Sequence, residues 1–196
     1  MCGGRGTRLD SDREKPLFEV GGRPMLARVA DALAGSDVET VHAVVSPHAP
    51  ETREFADECD SLAVVETPGE GYVDDLRTAL DAVETPVLTV AADLPLLDVD
   101  AANAVLGAYE ARRASGAETA APPSMTVCVP AALKRALGAS LDTAFDPDGG
   151  DGRALAPTGV NVVADTDTET MYETYDARLA VNVNRLSDAR LAEELL

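Results

Sequence analysis

The stretch PVLTVAADLPLL (residues 86–97) carries the strongest fold signal in this chain. Its first part, residues 86–92, is an almost unbroken apolar run, which is typical of a strand covered on both faces of a sheet. Asp93 then places a carboxylate at the end of that strand. Ligands of open α/β sheets bind beyond the carboxyl ends of the strands, so this stretch predicts both a buried central strand and a residue of the functional site.

Helical and strand patterns alternate on both sides of this stretch. Segments with helical spacing are 24–35, 51–60, 72–83, 100–114, 131–138 and 187–196. Short apolar or β-branched runs typical of strands are 40–45, 62–66, 86–93, 124–130, 159–163 and 178–184. This alternation predicts an α/β fold with a doubly wound, mostly parallel sheet. The 196 residues show no internal repeat and no linker, so we expect a single domain over 1–196.

The chain is strongly acidic, with 16 basic residues against 35 acidic ones and a formal net charge of −19. The acidic residues are spread through amphipathic segments, which favours a solvated surface suited to high salt over a disordered tail. Such a surface repels nucleic-acid phosphates, so no nucleic-acid partner is expected. There is neither a long apolar run nor a leader pattern, and Cys2, Cys59 and Cys128 show no C-x-x-C spacing. We therefore predict a cytoplasmic protein with free thiols and no membrane span.

A glycine-rich and basic cluster stands out against this acidic background at the start of the chain. Its residues are Gly3, Gly4, Arg5, Gly6, Thr7, Arg8, Arg13 and Lys15. Glycines let successive backbone N–H groups turn toward an anion, and cationic side chains neutralise phosphate charge. The loop matches neither G-x-x-x-x-G-K-[ST] nor G-x-G-x-x-G. A flexible terminus is the alternative, but the Lys-Pro pair that follows favours a phosphate-binding loop.

Asp93 is the candidate metal ligand. A carboxylate at the end of a buried strand is costly unless it binds a cation, and a divalent cation that bridges carboxylate and phosphates is the usual partner. The alternative is a helix cap, for which Asp98 or Asp100 is better placed. The VNVN segment places Asn182 and Asn184 on one face of a strand by its period of two. Their amide oxygens could complete a magnesium site or orient an acceptor group, while an outward-facing edge strand is the alternative.

An anion-binding loop, cationic side chains and a strand-end carboxylate suit attack on the α-phosphate of a nucleotide, with pyrophosphate leaving. No covalent nucleophile is required, because positioning and charge neutralisation supply most of the catalysis in phosphoryl transfer. We therefore predict Arg8, Lys15 and Asp93 as catalytic residues. No Ser-His-Asp arrangement is evident. His42 is expected to be packed within a strand, and His48 lies in a loop, where it is either a contact or plain surface.

Several motifs resemble a known group of enzymes. GGRGTR followed by EKPL resembles the sugar-nucleotide and molybdopterin-type nucleotidyltransferase superfamily, and this implies a Rossmann-like nucleotidyltransferase fold. GEGYVDDL, LAPTGVNVV and VNVNRLSDARLAEELL are similar to the archaeal GTP:adenosylcobinamide-phosphate guanylyltransferases. The resemblance runs in order over almost the whole chain. It implies transfer of GMP from GTP to adenosylcobinamide phosphate, with Mg²⁺ as cofactor, in the assembly of the cobalamin nucleotide loop. No kinase P-loop is present, so transferase activity alone is expected.

The resemblance also implies roles for individual residues. Those expected to bind the nucleotide are Gly3, Gly4, Arg5, Gly6, Thr7, Ser46, Thr67, Gly71 and Tyr72. Those expected near the acceptor phosphate are Gly159, Asn161, Asn182 and Asn184. Arg8 and Lys15 would contact phosphate, and Asp93 would bind magnesium. Gly159 either opens a turn that needs positive φ, in which case Gly159→Ala would destabilise the fold, or it allows close approach of the acceptor. The resemblance favours the second account, on which Gly159→Asp is expected to fold but to fail in catalysis.

The start of the chain departs from this family. Members have several apolar residues before the glycine loop, and these form a central strand, whereas this chain begins at Met1. Two residues are too few for that central strand. We therefore expect the first strand to be truncated, and a start codon assigned too far downstream is the preferred explanation.

Two alternatives to the guanylyltransferase hypothesis stay open. One is a nucleotidyltransferase for molybdopterin or another phosphorylated acceptor. Only the later motifs, and not the glycine loop, distinguish the cobamide enzymes from such an enzyme. The other is a nucleotide-binding module without catalytic activity. The joint presence of Arg8, Lys15 and Asp93 argues against the second alternative.

The acidic composition predicts that stability depends on salt. Repulsion between acidic side chains should destabilise the folded state near 0.1 M salt, where charges are screened over about 10 Å, and molar salt should remove this repulsion. We expect the melting temperature to rise steadily as KCl is increased to several molar. A melting temperature that does not change with KCl would contradict adaptation to a high-salt cytoplasm.

Overall fold

The computed structural model describes residues 1–2, 9, 13–115, 122–147, 149 and 153–196. The helices are α1 (Met25–Ala34), α2 (Pro50–Asp57), α3 (Tyr72–Asp81), α4 (Val99–Ser115), α5 (Ala131–Leu137) and α6 (Leu186–Leu195). The strands are β1 (Glu19–Val20), β2 (Arg23–Pro24), β3 (His42–Val45), β4 (Ala63–Glu66), β5 (Val87–Val90), β6 (Ser124–Pro130), β7 (Leu155–Val163) and β8 (Glu169–Glu173). Two short 3₁₀ helices span Lys15–Leu17 and Ala177–Leu179.

The strands form two main groups. β3 pairs in parallel with β4, and the other group has the order β5-β7-β6-β8. β7 runs antiparallel to both β5 and β6, whereas β6 and β8 are parallel. β1 and β2 form a separate antiparallel pair. The expected α/β class is confirmed, with β7 as the strand that runs against its neighbours.

Met1 and Cys2 lie between these two groups of strands. The α-amino group of Met1 donates to Val90 O of β5 at 2.9 Å, and Cys2 N donates to Val44 O of β3 at 2.9 Å. Ala92 N donates to Met1 O at 3.4 Å. Beside them, a cavity of about 700 Å³ is lined by residues of both β3 and β5. Met1 and Cys2 therefore connect the two groups of strands through backbone hydrogen bonds.

Three apolar clusters hold the sheet and the helices together. The largest packs α4 against β5, β6 and β7, and it includes Val90, Val105 and Val127. A second cluster contains Met25 of α1 and Val183, and a third surrounds Cys2. Full burial of a Val or Leu side chain contributes about 1.5–3 kcal/mol. Small aliphatic side chains thus build the core, and within the described residues no helix is long and apolar enough to span a membrane.

The cysteines are free, as expected. Cys2 and Cys128 are buried, and Cys59 is partly buried. Burial, with a smaller contribution from Glu173, raises the pKa of the Cys128 thiol to about 11. Cys128 is therefore a protonated packing residue at neutral pH.

Most of the expected helices and strands are confirmed, two expectations are wrong and one strand was missed. Residues 178–184 do not form a strand, because the 3₁₀ helix Ala177–Leu179 is followed by an extended segment outside the described sheets. No strand was expected over Glu169–Glu173, yet this segment forms the edge strand β8 beside β6. His42 was expected to be packed, but it is exposed at the first position of β3.

The cavity between β3 and β5 leads to a test of how the two groups of strands are joined. We expect an apolar extension such as Thr-Val-Ile-Val-Val before Met1 to enter this cavity, since five residues of strand span about 17 Å. Burial of two or three side chains at about 1.5–3 kcal/mol each should raise the melting temperature by at least about 5 °C. The control is a Gly-Ser extension of equal length. Equal melting temperatures for the two extended chains would contradict the expectation.

Candidate active site

Four polar side chains meet beyond the carboxyl end of β5. Lys15 Nζ donates to Asp93 Oδ2 at 2.6 Å and to Asn184 Oδ1 at 2.8 Å. Asn182 Nδ2 donates to Asp93 Oδ1 at 3.0 Å. Both carboxylate oxygens of Asp93 therefore have partners. The structure thus brings together one predicted cationic residue, the predicted carboxylate and both predicted asparagines.

Lys15 is held at this place by its short 3₁₀ helix. Pro16 and Leu17 are buried beneath it, so the helix is fixed to the body of the protein. The carboxylate of Glu14, the preceding residue, accepts hydrogen bonds from Glu51 N and Thr52 N at 3.0 and 2.7 Å. These are free N–H groups at the start of α2, where a carboxylate is favoured. The lysine therefore projects from an anchored segment.

Asp93 is positioned by the residue that follows it and by the C-terminal region. Leu94, the next residue, is fully buried. The backbone of Asp93 is tied to the C-terminal segment, because Val183 N donates to Asp93 O at 2.9 Å. Asp98, rather than Asp93, caps α4, with Ala101 N donating to Asp98 Oδ1 at 2.8 Å. The expectation that the helix-capping role belongs to another aspartate is confirmed.

Asn184 is held by a buried carboxylate that the sequence analysis missed. Asp188 has no solvent exposure and accepts hydrogen bonds from Asn184 N at 3.0 Å and Arg185 N at 2.9 Å. It also accepts two hydrogen bonds from Ser140, from the backbone N and from Oγ, each at 2.8 Å. Asp188 is the third residue of α6, where an acidic side chain commonly bonds back to the residue before the helix. The position of this aspartate at the helix start was the available sequence signal.

Asn182 is linked to a bulge in β7. Its Nδ2 donates to Thr158 O at 2.8 Å as well as to Asp93. The pairing of β7 with β6 shifts register beside Thr158, and Gly159 has a φ of +82°. A Cβ built on Gly159 would lie 2.9 Å from Ala91 Cβ. Left-handed backbone and close packing therefore both require glycine here.

This geometry corrects the expectation for Gly159→Asp. The variant was expected to fold, but the positive φ and the contact with Ala91 make any side chain at this position strained. A role of Gly159 near the acceptor stays a prediction. Asn161 lies two residues further along β7, opposite Thr89 and Thr126. Among the described residues, no hydrogen bond shown joins its side chain to Asp93, so its role as an acceptor contact also stays a prediction.

A cavity of about 520 Å³ opens beside Lys15 and Asp93. Its other walls include Thr67, Gly71 and Tyr72, three residues that were expected to bind the nucleotide. The structure thus places them beside the charged residues. The volume is within the range of about 300–1,000 Å³ typical of ligand pockets.

The hydroxyl groups of Ser46 and Thr67 are engaged in hydrogen bonds within the protein. Ser46 is buried, and its Oγ accepts a hydrogen bond from His48 N at 3.4 Å, so it supports the wall from behind. The hydroxyl of Thr67 donates to Val45 O at 3.0 Å and is therefore engaged with β3. Their direct contact with a nucleotide stays a prediction.

His48 and Asp75 shape the turn at the mouth of the cavity. His48 Nε2 donates to Gly69 O at 3.1 Å, and Gly69 N donates to Asp75 Oδ1 at 2.8 Å. Asp75 is 5% exposed. His48 is exposed and lines the cavity, so its contact with a ligand stays a prediction. Asp75 was not expected, although it follows the predicted turn closely.

The glycine-rich loop, Gly3, Gly4, Arg5, Gly6, Thr7 and Arg8, lies outside the described residues. On either side of it, Cys2 and Leu9 are buried, at 3% and 1% exposure. The predicted phosphate-binding role of the loop stays a prediction.

The fold and the site together define a nucleotidyltransferase, and the chain belongs to the family of the MobA-like NTP transferase domain, which it matches over residues 1–162. It is 28% identical over 201 residues to the adenosylcobinamide-phosphate guanylyltransferase of Methanocaldococcus jannaschii, covering 100% of this chain and 95% of that protein. It is 32% identical over 118 residues to the bifunctional protein GlmU of Bifidobacterium adolescentis, covering 56% of this chain and 26% of that protein. The resemblance found in the sequence motifs is confirmed.

Solved structures show the same fold at low sequence identity. A putative glucose-1-phosphate thymidylyltransferase from Bacillus anthracis superposes with a TM-score of 0.71 at 11% identity, covering 99% of this chain and 92% of that one. A CMP:2-keto-3-deoxy-manno-octonic acid synthetase complexed with CTP gives a TM-score of 0.63 at 13% identity, covering 96% and 94%. These similarities support the α/β nucleotidyltransferase fold.

The bulge in β7 gives a stability prediction for Gly159. We expect Gly159→Ala and Gly159→Asp each to lower the free energy of unfolding by roughly 2–4 kcal/mol, because a side chain meets both a positive φ and Ala91. Urea unfolding measures the change. Gly107→Ala is the control, since Gly107 lies in α4 with nothing within 4 Å of its Cβ position. A Gly159→Asp protein as stable as wild type would restore the expectation corrected above.

Proposed function

We propose that this chain transfers GMP from GTP to adenosylcobinamide phosphate, giving adenosylcobinamide-GDP and pyrophosphate. The observation that carries this proposal is the 28% identity to the Methanocaldococcus jannaschii guanylyltransferase, which extends over the whole of this chain. The GlmU relative matches 56% of this chain, whereas the guanylyltransferase matches 100% of it.

In the proposed reaction, an oxygen of the acceptor phosphate attacks the α-phosphorus of GTP. A new P–O bond forms to the acceptor, and the bond to the oxygen that bridges the α- and β-phosphorus atoms breaks. Pyrophosphate leaves with the electrons of that bond. The protein's part is to align these groups and to stabilise the negative charge that moves onto the leaving group.

Lys15 is the described cationic residue best placed for this task. Its side chain is 19% exposed and lies on the cavity wall, so its ammonium group is accessible to a phosphate. Arg8 and the backbone N–H groups of residues 3–7 are proposed to contact the triphosphate as well. Positive charge beside the α- and β-phosphates favours departure of pyrophosphate.

Mg²⁺ is the proposed cofactor, and the donor atoms of the site fit it. Asp93 Oδ2 and Asn184 Oδ1 both accept hydrogen bonds from the Lys15 ammonium group, so these two oxygens lie close enough to bind one cation, and a metal ion there would displace the ammonium group toward the phosphates. Oxygen donors are the ligands that Mg²⁺ prefers, usually together with substrate phosphates. No cluster of three His, Cys, Asp or Glu side chains suited to a metal occurs in the described part of the chain. Asp93 and Asn184 would hold the ion, which would neutralise phosphate charge when bound.

The guanine and the ribose are proposed to occupy the cavity of about 520 Å³ between Lys15 and the start of α3. Tyr72 at the first position of α3 is 58% exposed and offers an aromatic surface at the mouth of this cavity. The Gly69–Tyr72 turn, held by His48 and Asp75, offers backbone groups to the base.

The proposed roles of Lys15 and Asp93 give a mutational test. We expect Lys15→Ala and Asp93→Asn each to lower kcat by about 100-fold or more, since each removes charge that acts on the triphosphate. Asp93→Asn should also weaken the dependence of the rate on Mg²⁺. Arg113→Ala and Asp81→Asn, which remove exposed charges elsewhere, are the controls. A Mg²⁺ titration of Asp93→Asn that matches wild type would show that Asp93 does not bind the metal.

Substrate identity is tested by pyrophosphate release with a panel of nucleotides and acceptors. We expect release with GTP and adenosylcobinamide phosphate, and at least 100-fold lower kcat/KM with ATP, CTP or UTP. Faster release with molybdopterin or a sugar phosphate would overturn the proposed acceptor. Nucleotide binding without release for any pair would instead support a module that lacks catalytic activity.

A further inference from the structure

The chain contains two lysines, and both reach the Asp93 site. Of the 16 basic residues, Lys15 and Lys134 are the lysines, and the other 14 are arginines. Lys134 lies on α5, is 4% exposed, and its Nζ donates to Asn182 Oδ1 at 3.0 Å. Neither the motifs nor the proposed mechanism uses this residue.

The chemistry of an ammonium group determines how the Asn182 amide is oriented. An ammonium group donates hydrogen bonds and accepts none, so the amide oxygen of Asn182 must face Lys134. The amide NH₂ then faces the other way, where it donates to Asp93 Oδ1 and Thr158 O. With the amide turned over, its NH₂ would face an ammonium group and its oxygen would face a carboxylate and a carbonyl. One orientation is therefore strongly favoured.

This orientation in turn determines which oxygen of Asp93 faces the ligand. Oδ1 is bonded to Asn182, so Oδ2 is the oxygen directed at Lys15 and at the proposed cation position. We propose that Lys134 is a positioning residue, which holds the carboxylate of Asp93 ready for ligand through the amide of Asn182. The importance of that carboxylate for GTP and metal rests on the proposed function.

The burial of Lys134 supports a role in the site over a role in stability. Burial lowers the pKa of Lys134, and the nearby carboxylates of Asp93, Asp188 and Asp142 oppose this shift. Placing an ammonium group among core residues is costly, and apolar residues of similar volume commonly serve stability as well or better. Arg135, the next residue of α5, is exposed, so a positive charge on this helix can also lie in solvent.

The test is a double-mutant cycle on Lys134 and Asn182. The quantity measured is the affinity for GTP in the presence of Mn²⁺ and the absence of acceptor. Calorimetry measures this affinity without any turnover. We expect Lys134→Met and Asn182→Ala each to weaken it by about 10-fold, and the double variant to be no weaker than Asn182→Ala alone, because Lys134 acts through Asn182. Lys134→Gln should recover part of the affinity, since its amide can still donate to Asn182. Arg135→Met is the matched control and should bind like wild type.

Each outcome decides the inference. Unchanged affinity in Lys134→Met would overturn it, and so would additive losses in the double variant, which would show that Lys134 acts independently of Asn182. If Lys134→Met does not fold, the same cycle is run with Lys134→Gln, whose affinity should lie between those of wild type and Asn182→Ala. A wild-type protein that binds GTP and Mn²⁺ but transfers no GMP to adenosylcobinamide phosphate would overturn the proposed acceptor and leave this test intact.

Discussion

The carboxylate of Asp93 is the group on which the arrangement of the site depends. It lies at the end of a buried strand with its side chain 18% exposed, so it requires partners from the protein. Lys15 supplies charge to one oxygen, and Asn182 supplies an amide to the other. These partners come from the two ends of the chain. These bonds to one carboxylate join the 3₁₀ helix at Lys15 and the C-terminal segment at the end of β5.

A second layer of buried polar groups holds these partners in place. Lys134 and Ser140, within and just after α5, bond to Asn182 and to Asp188, and Asp188 holds the turn at Asn184. The bulge at Gly159 directs a β7 carbonyl to the same amide. Sites of this kind are preorganised, because their donors and acceptors are already oriented before ligand binds and little reorganisation is needed. The four-stranded group β5-β7-β6-β8 supplies the rigid base for this layer.

The charge distribution separates the site from the rest of the molecule. A net charge of −19 keeps the surface acidic, while the two lysines lie inward around one carboxylate. Both lysines thus place their positive charge at the site. A compact ammonium group suits both positions, because it donates in several directions from one atom, whereas the planar guanidinium of arginine requires a wider and flatter space.

The local sequence was sufficient for the strand before Asp93 and for α1, and it narrowed the cap of α4 to Asp98 or Asp100, because apolar periodicity and capping chemistry act within a few residues. It was also sufficient for the family, since the motifs near Lys15 and Asn182 are contiguous. It did not predict β8, an edge strand with little buried apolar surface. It predicted a strand over 178–184, where apolar and polar residues alternate as in a strand although the backbone bonds to Asp93. The contacts of Lys15 with Asp93 and Asn184 span 78 and 169 residues, and that of Lys134 with Asn182 spans 48. Periodicity records which face of a segment is buried but not which distant segment covers it, so the folded chain alone decided that two lysines would share one carboxylate site.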